Sequence, residues 1–397
     1  NAEKTGVIFE NDSYEQETKL RYQTQHYLDL WKLAAGTNIQ YSDYGNDTQS
    51  IFNNLDYSTG IDFIKYGFFA KAERKFYNDN LGLSFGFRVD ADSFSEGSGL
   101  MDNFSPRIAL TINLTEDQSW KINASVGRYY KIPTYTMLGF QNRLSTFVNQ
   151  KAKYTRSDHL VMGLEYAPGN ASRITLEGFY KKYSQYPISL TDGVSLANKG
   201  GGFEVLGNEA ISSDGRGKSY GVEALYQQKL SKNFYGVFAY TYFHSQFTTA
   251  IGNYLPSVWD SRHLISFSGG YKLKKNWEIS ARWRFSGKTP YVPVNQNATL
   301  SAYPEVVLDY NQLGNVKLDP FNLADIRFDK KWNFKRYSFN FYFEIQNFLA
   351  QAVPRPDEYG LNRTEEGNLI LPQSLVKVNT EENNNIPIPS FGFVIDF

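Results

Sequence analysis

Apolar and polar residues alternate along much of the chain. In residues 337–346, apolar side chains stand at every odd position, and four of the positions between them are polar: Ser338, Asn340, Glu344 and Gln346. Successive side chains of a β-strand point to opposite faces, so a period of two predicts a strand with one apolar and one polar face. A sheet of such strands separates an apolar medium from a polar one.

The same alternation recurs in about sixteen segments of roughly 8 to 16 residues, the length range of tilted membrane strands. In residues 277–285, the apolar set alternates with Glu278, Ser280, Arg282 and Arg284. Residues 326–334 follow the pattern with one exception, Lys330. Further segments are residues 81–89, 108–114, 120–126, 220–230, 265–273 and 391–397. The chain is therefore predicted to be all-β.

Short polar turns alternate with long loops between these segments. Short turns are predicted at residues 77–80, 115–118, 168–171, 230–233, 274–276 and 334–336. Long loops are predicted near residues 42–58, 92–103, 131–158, 185–217, 248–259, 290–320 and 351–389. Barrels of the bacterial outer membrane have short periplasmic turns and long extracellular loops. The predicted fold is thus a transmembrane antiparallel up-and-down β-barrel, formed as one domain over residues 1–397.

Aromatic residues are unusually frequent for a chain whose mean hydropathy is −0.48. The sequence has 29 Tyr, 30 Phe and 6 Trp, together 16% of its residues. Barrels place aromatic belts at both membrane interfaces, although a ligand cleft, such as one for a sugar, is an alternative use of so many rings. Trp120, Trp277, Trp332 and Tyr235 adjoin short turns, which favours a periplasmic belt.

Charge and composition exclude several functional classes. Lys+Arg and Asp+Glu both number 41, so the chain has no overall electrostatic attraction to nucleic acid. There is no Cys and the four His are scattered, so no zinc site and no cofactor site are predicted. His263 and Ser266 are close in sequence, but no spacing identifies a catalytic triad. The sequence therefore predicts a protein that is not an enzyme.

Charged residues of both signs fall on the polar face of segments that follow one another along the chain. A lumen lined in this way is typical of a water-filled or plugged barrel. These charges either neutralise one another as a structural ladder or contact a plug or solute. The candidate lumen residues are Arg282, Arg284, Asp325, Arg327, Asp329 and Glu344. Separately, Asp90, Asp92 and Glu96 form either a solvated acidic loop or a calcium site.

Several phrases resemble the barrel of TonB-dependent outer-membrane receptors, particularly those of the Bacteroidetes type. Residues 217–223, Gly-Lys-Ser-Tyr-Gly-Val-Glu, resemble a strand entry of that family, and Trp-Asp-Ser-Arg-His at 259–263 resembles its Tyr-Asp-x-x-His phrase. Residues 286–291 resemble its Ser-Gly-x-Pro-Tyr strand exit, and residues 344–348 its penultimate strand. The resemblance runs from about residue 80 to the end. One phrase of the family is degraded at residues 149–156.

The resemblance implies an outer-membrane receptor that binds a scarce nutrient at its loops and lumen and imports it with energy supplied through TonB. The implied ligand is a small molecule, a glycan or a peptide, and the implied partners are membrane lipid, TonB, and a surface lipoprotein or another outer-membrane subunit. The family's assembly signal falls on Phe393, Ile395 and Phe397. Family barrels have 22 strands behind an N-terminal plug. The chain is therefore expected to be the C-terminal part of such a barrel, lacking the plug and the first strands.

Two other interpretations stay open. About sixteen strands is a normal count for a complete diffusion porin, which leaves an aqueous channel. A structural or assembly subunit of an outer-membrane complex is the third interpretation. Against a fragment, an open sheet in lipid leaves an unpaired edge, which is costly. Against a porin stand the receptor-like phrases and the long loops.

Overall fold

Antiparallel strands make up most of the computed structural model, which describes residues 9–50, 55–97, 99–142, 144–199, 206–303, 306–378 and 385–397. The first ten strands are β1 (Phe9–Leu28), β2 (Trp31–Ser50), β3 (Leu55–Phe76), β4 (Leu81–Asp92), β5 (Ser105–Asn113), β6 (Trp120–Lys131), β7 (Thr155–Tyr166), β8 (Ser172–Ser189), β9 (Ile211–Ser231) and β10 (Phe234–Thr248). Eight follow: β11 (Tyr254–Pro256), β12 (His263–Lys272), β13 (Trp277–Ser286), β14 (Phe321–Asn333), β15 (Ser338–Gln346), β16 (Glu358–Leu361), β17 (Leu375–Val378) and β18 (Ile388–Asp396).

Sixteen of these strands form one sheet, so the predicted fold class and strand number are confirmed. Neighbours in sequence are neighbours in the sheet, in the order β1 to β10, then β12 to β15, then β18. The sixteenth strand, β11, is only three residues long and pairs with β10 beside this path. β16 and β17 form a separate hairpin within the last long loop. Among the described residues, β1 and β18 are the edges of the sheet.

Helices are short, and all but the one at Lys274–Asn276, which forms a short turn, lie in the long loops. They are α1 (Tyr135–Leu138), α2 (Gln296–Ala302) and 3-10 turns at Leu196–Asn198, Lys274–Asn276 and Tyr310–Gln312. None of the helices that the structure describes is long and apolar enough to cross a membrane.

The predicted alternation of connections is confirmed except at one loop. All six predicted short turns join consecutive strands, and six of the seven predicted long loops lie at the opposite ends of the strands. The prediction of a loop at residues 42–58 is wrong, because β2 continues to Ser50 and β3 begins at Leu55. Gly, Asn, Asp and Ser suggest a loop there, but the inward set Ser42, Asn46 and Thr48 is buried and hydrogen-bonded.

The two faces of the sheet differ as the period of two predicts. The outer face of β2 and β3 bears paired residues such as Ile39 with Tyr66 and Thr37 with Phe68, and these side chains are largely apolar. The inner face bears Ser42, Lys65 and their neighbours. On this face, residues 132–142 and 144–154 fold back over the wall and pack with β2 and β3 in the main apolar cluster of the described residues, which contains Tyr44, Ile61, Phe63, Tyr135, Leu138 and Ala152. The core of the protein therefore lies under a loop, at the extracellular end of the barrel wall.

Candidate functional site

The predicted lumen charges lie together on the inner face of β13, β14 and β15. Arg282 and Asp325 are direct register partners, and the guanidinium donates to Asp325 Oδ2 from Nη2 at 2.8 Å and from Nε at 3.0 Å. Asp325 is 5% exposed and also accepts from the backbone N–H of Asn347 at 3.0 Å. This aspartate therefore ties the lumen wall to the start of the last long loop.

Arg327 forms the second step of the same ladder. It donates to both carboxylate oxygens of Asp329 at 2.8 Å, lies 3.9 Å from Glu344 Oε2 and stacks 3.9 Å from the ring centre of Tyr342. Five of the six candidate charges are thus paired with each other, as the structural-ladder interpretation expects.

Arg284 differs from the other five. It is exposed, it stands opposite Leu323 and Ser266 in the register, and no ion pair that includes it occurs among the described residues. Its guanidinium is the one of this group that is available to a solute in the lumen, so its role in ligand contact stays a prediction.

A polar cluster that the sequence did not predict joins the loop at residues 132–154 to the inner face of β1–β3. Tyr135 Oη, from the loop at residues 132–154, donates to Glu17 Oε1 at 2.6 Å and lies 3.1 Å from Ser42 Oγ. Lys65 Nζ donates to the same carboxylate oxygen at 2.9 Å and also contacts Tyr135 Oη. The partners are 118 and 70 residues from Tyr135 in sequence, so no local pattern reveals this cluster.

A second loop, described at residues 190–199 and 206–210, is hydrogen-bonded to the first. Lys199 Nζ lies 2.5 Å from Asp192 Oδ2 and 2.7 Å from Glu209 Oε1. Burial opposes the charge on Lys199, but these hydrogen bonds outweigh that effect and raise the pKa of its ammonium group. Asn149 Nδ2 donates to the carbonyls of Glu209, at 2.8 Å, and Met137, at 2.9 Å. The two loops therefore form one connected cover on the extracellular side.

The Trp-Asp-Ser-Arg-His phrase anchors a third loop to β10. Trp259 Nε1 donates to Ser245 Oγ at 3.1 Å. The Asp260 side chain is fully buried, with Arg262 Nε 3.3 Å from its Oδ1. Burial raises the pKa of Asp260 above its ordinary value, while the nearby Arg262 guanidinium opposes that rise. The phrase therefore has a structural role in holding the loop.

A polar cavity of about 390 Å³ lies between the last two long loops. Its lining includes Tyr291, Lys317 and Arg355, together with an ion pair of 2.6 Å between Lys377 Nζ and Asp357 Oδ1. Neither Lys317 nor Arg355 has an ion-pair partner in the part of the chain that the structure describes. The cavity therefore presents two available cations to the outside.

One smaller sequence interpretation, that of Tyr235, changes. Tyr235 was expected in the periplasmic belt, but it lies on the inner face, where its hydroxyl contacts Glu278. Its neighbours in β10, Phe234 and Gly236, face outward, so Tyr235 between them faces inward. Trp120 does lie in the belt, stacked on Tyr166 at 4.3 Å. Lys330, the exception in the alternation, lies between Trp277 and Trp332, 5.3 and 5.4 Å from their ring centres.

The acidic segment at the end of β4 forms hydrogen bonds within its own loop. Asp92 accepts from the backbone N–H groups of Phe94 and Ser95, from Ser95 Oγ and from Tyr154 Oη. No group of three or more potential metal ligands occurs among the described residues. At the chain end, Phe393 and Ile395 lie on the outer face opposite Phe341 and Phe339, and Phe397 follows the end of β18. Their part in assembly stays a prediction.

Comparison with known proteins adds a family and a fold. The sequence model of a family described as "TonB dependent receptor-like, beta-barrel" matches residues 2–348. No curated protein matches the sequence.

Among solved structures, the chain is similar to the outer membrane transporter YddB from Escherichia coli, with 13% identity and a TM-score of 0.54 over 92% of this chain and 53% of that one. It is also similar to the pyoverdine receptor FpvA from Pseudomonas aeruginosa bound to pyoverdine, with 12% identity and a TM-score of 0.63 over 98% and 53%. The copper transporter OprC gives 15% identity and a TM-score of 0.60 over 98% and 57%. At these identities the likeness concerns the fold, and the chain spans little more than half the length of each.

Proposed function

The chain belongs to the TonB dependent receptor-like β-barrel family, and on that premise we propose that it is the ligand-binding barrel of a receptor that imports a scarce nutrient through the outer membrane of a Gram-negative bacterium. In this proposal the ligand binds at the extracellular loops and the upper lumen. Energy delivered from the inner membrane by TonB then drives its release inward. The matched family is one of receptors and transporters.

The observation that carries the proposal is the connected loop cover. Tyr135, Leu138 and Ala152 of this loop are buried against the inner face of the barrel wall, and Asn149 joins the loop to Glu209 of the next one. A passive pore needs a continuous water-filled channel. Loops that fold inward and lock to one another instead favour a binding vestibule that opens and closes.

The available cations support a ligand site at the extracellular loops. Lys317 and Arg355 line the cavity between the last two loops, and Arg284 stands on the wall below. Arg and Lys bind carboxylate and phosphate oxygens by charge-assisted hydrogen bonds. We therefore propose a ligand that carries an anionic group, which contacts the loop cavity first and Arg284 afterwards.

TonB and the plug enter as parts of the proposed whole receptor. The two sheet edges, β1 and β18, are compatible with further strands that would close the barrel, since unpaired edges are unfavourable in lipid. The solved relatives are nearly twice as long as this chain. A surface lipoprotein or another outer-membrane subunit is a further proposed partner, which rests on the sequence resemblance.

Uptake in the native organism tests the transport proposal. A strain without the gene should lose accumulation of one labelled nutrient among ferric chelates, cobalamin, glycans and peptides, and a strain without TonB should show the same loss. Restoring the wild-type gene should restore uptake, whereas the Lys317→Gln, Arg355→Gln variant should raise the apparent KM. Uptake that persists without TonB would contradict the energy-coupled mechanism.

Conductance separates a receptor from a porin. Protein isolated intact from its native membrane should have a denatured mass well above the 45.5 kDa of this sequence and should show no steady channels in planar bilayers. Steady channels from a protein of 45.5 kDa would overturn the proposal in favour of a sixteen-stranded porin.

A further inference from the structure

One segment of the last long loop has an unpaired backbone. Residues 352–357 lead directly into β16 and contain no turn or bend. Val353 and Arg355 each precede a proline, and that position favours an extended backbone. No hydrogen bond to a backbone N–H or C=O group of this segment occurs among the described residues. These backbone groups are therefore available to a ligand.

The two prolines make the edges of this segment unequal. In an extended chain, the N–H and C=O groups of successive residues point to alternate edges. Val353, Arg355 and Asp357 therefore present both groups at one edge, whereas Pro354 and Pro356, at the other edge, have no N–H. Only the first edge offers an unbroken row of donors and acceptors, and we call it the pairing edge.

The polar cavity between the last two long loops lies along this segment. All of residues 352–357 line the cavity, together with Lys317 and Val378. Lys317 and Arg355 are exposed, and neither has an ion-pair partner in the described part of the chain. Val353 and Val378 are 40% and 44% exposed. A ligand in the cavity therefore meets two cations, an apolar surface and an unpaired backbone.

The two carboxylates of the cavity are already paired with lysines. Asp357 Oδ1 lies 2.6 Å from Lys377 Nζ, and Asp319 Oδ1 lies 3.7 Å from Lys288 Nζ. The charge that is left over is therefore positive. The cavity favours the carboxylate of a zwitterionic ligand and not its ammonium group, because oppositely charged groups attract.

We propose that this cavity binds the C-terminal end of a peptide, with the carboxylate at Lys317 and Arg355 and the backbone added as a strand along the pairing edge. This inference rests on the proposed function, for which it names the class of nutrient. A peptide added to an exposed edge gains main-chain hydrogen bonds, and its carboxylate gains charge-assisted ones from Lys and Arg. A sugar or a compact anion has no row of amide groups and would leave the pairing edge unused.

Calorimetric titration of the intact receptor, isolated from its native membrane in detergent, tests the role of the carboxylate. The probe is the tripeptide Val-Ala-Val, and its C-terminal amide is the matched ligand without the negative charge. The amide should bind the wild type about 30-fold more weakly than the free acid. The Lys317→Gln, Arg355→Gln variant should bind the acid and the amide equally. Arg363→Gln, in the same loop but outside the cavity, should change binding less than about twofold.

A second pair of variants tests the backbone. Val353→Pro removes an N–H of the pairing edge and should weaken binding of the tripeptide about tenfold. Ala352→Pro is the matched control, because residue 352 belongs to the other edge, and it should change binding less than about twofold. Both variants keep the two cations of the cavity. Equal thermal unfolding midpoints of the two variants would show that a difference in binding does not come from misfolding.

Two results would overturn the proposal. One is equal binding of the tripeptide and its amide by the wild type, and the other is equal binding of the tripeptide by Val353→Pro and Ala352→Pro. Neither result depends on TonB or on uptake. A receptor that fails both tests, yet imports a ferric chelate or a glycan with energy from TonB, would keep the proposed function and lose only the peptide.

Discussion

The inner walls of β1–β3 and β13–β15 use the same alternating pattern in different ways. β1, β2 and β3 are 20, 20 and 22 residues long, and a loop covers their inner face. β13, β14 and β15 are 10, 13 and 9 residues long, and their inner face carries an open ladder of charges. The inner face of a strand is therefore buried where a loop packs on it, and it is exposed to solvent where no loop does.

The largest effect should come from removing the apolar anchor of the covered wall. Leu138 is fully buried, and Leu138→Ala should destabilise the closed loop by about 3 kcal/mol, from lost burial and the cavity left behind. Proteolysis within residues 132–154 should then become about 100-fold faster. Leu144→Ala, in the same loop but 84% exposed, is the control. Equal cleavage rates of the two variants would mean that the loop is not held by this core.

Two Tyr→Phe variants, each lacking one hydroxyl, compare how much a polar contact stabilises the covered wall and the open wall. Tyr135→Phe removes buried hydrogen bonds to Glu17 and Ser42 and should cost about 2 kcal/mol. Tyr235→Phe removes a contact with Glu278 on the open wall, where water replaces it, and should cost about 0.5 kcal/mol. Urea unfolding in micelles and hydrogen exchange of residues 132–154 measure both. Equal losses in the free energy of unfolding would contradict the proposed difference between the covered wall and the open wall.

The charge ladder on the inner face of β13–β15 should make a moderate contribution to stability. Asp325→Ala leaves Arg282 and the Asn347 N–H without their acceptor, but Arg282 is half exposed, so the cost should be about 1 kcal/mol. The Arg282→Ala, Asp325→Ala double variant should recover part of that loss in urea unfolding. A double variant less stable than the sum of the single ones would show that the pair does not act as a pair.

The smallest effect on stability is expected at Arg284. Because this side chain is exposed and unpaired among the described residues, Arg284→Gln should change the free energy of unfolding by less than about 0.5 kcal/mol. Uptake should still show a raised apparent KM, since the proposed ligand contact is lost. Arg282→Gln, a paired neighbour, should show the reverse: a loss of stability larger than its effect on KM.

The alternation of apolar and polar residues predicted most of the sheet, because each membrane strand has one face toward lipid and the other toward the polar interior. The same reasoning placed Arg282, Asp325 and Arg327 on one inner surface. It failed at residues 42–58, where the covering loop, and not lipid, buries polar side chains. It also missed Tyr135 and Lys199, because their partners come from loops whose positions are set by tertiary packing and not by any local period.

The height of β1–β3 has a consequence at the cell surface. At about 3.3 Å per residue, the 22 residues of β3 extend about 70 Å, and even at a tilt near 45° they rise well beyond a hydrocarbon core about 30 Å thick. Asp12 and Asp47 are exposed on this upper part and are register partners on adjacent strands. The tall wall therefore holds this acidic pair in water, beyond the hydrocarbon core of the membrane.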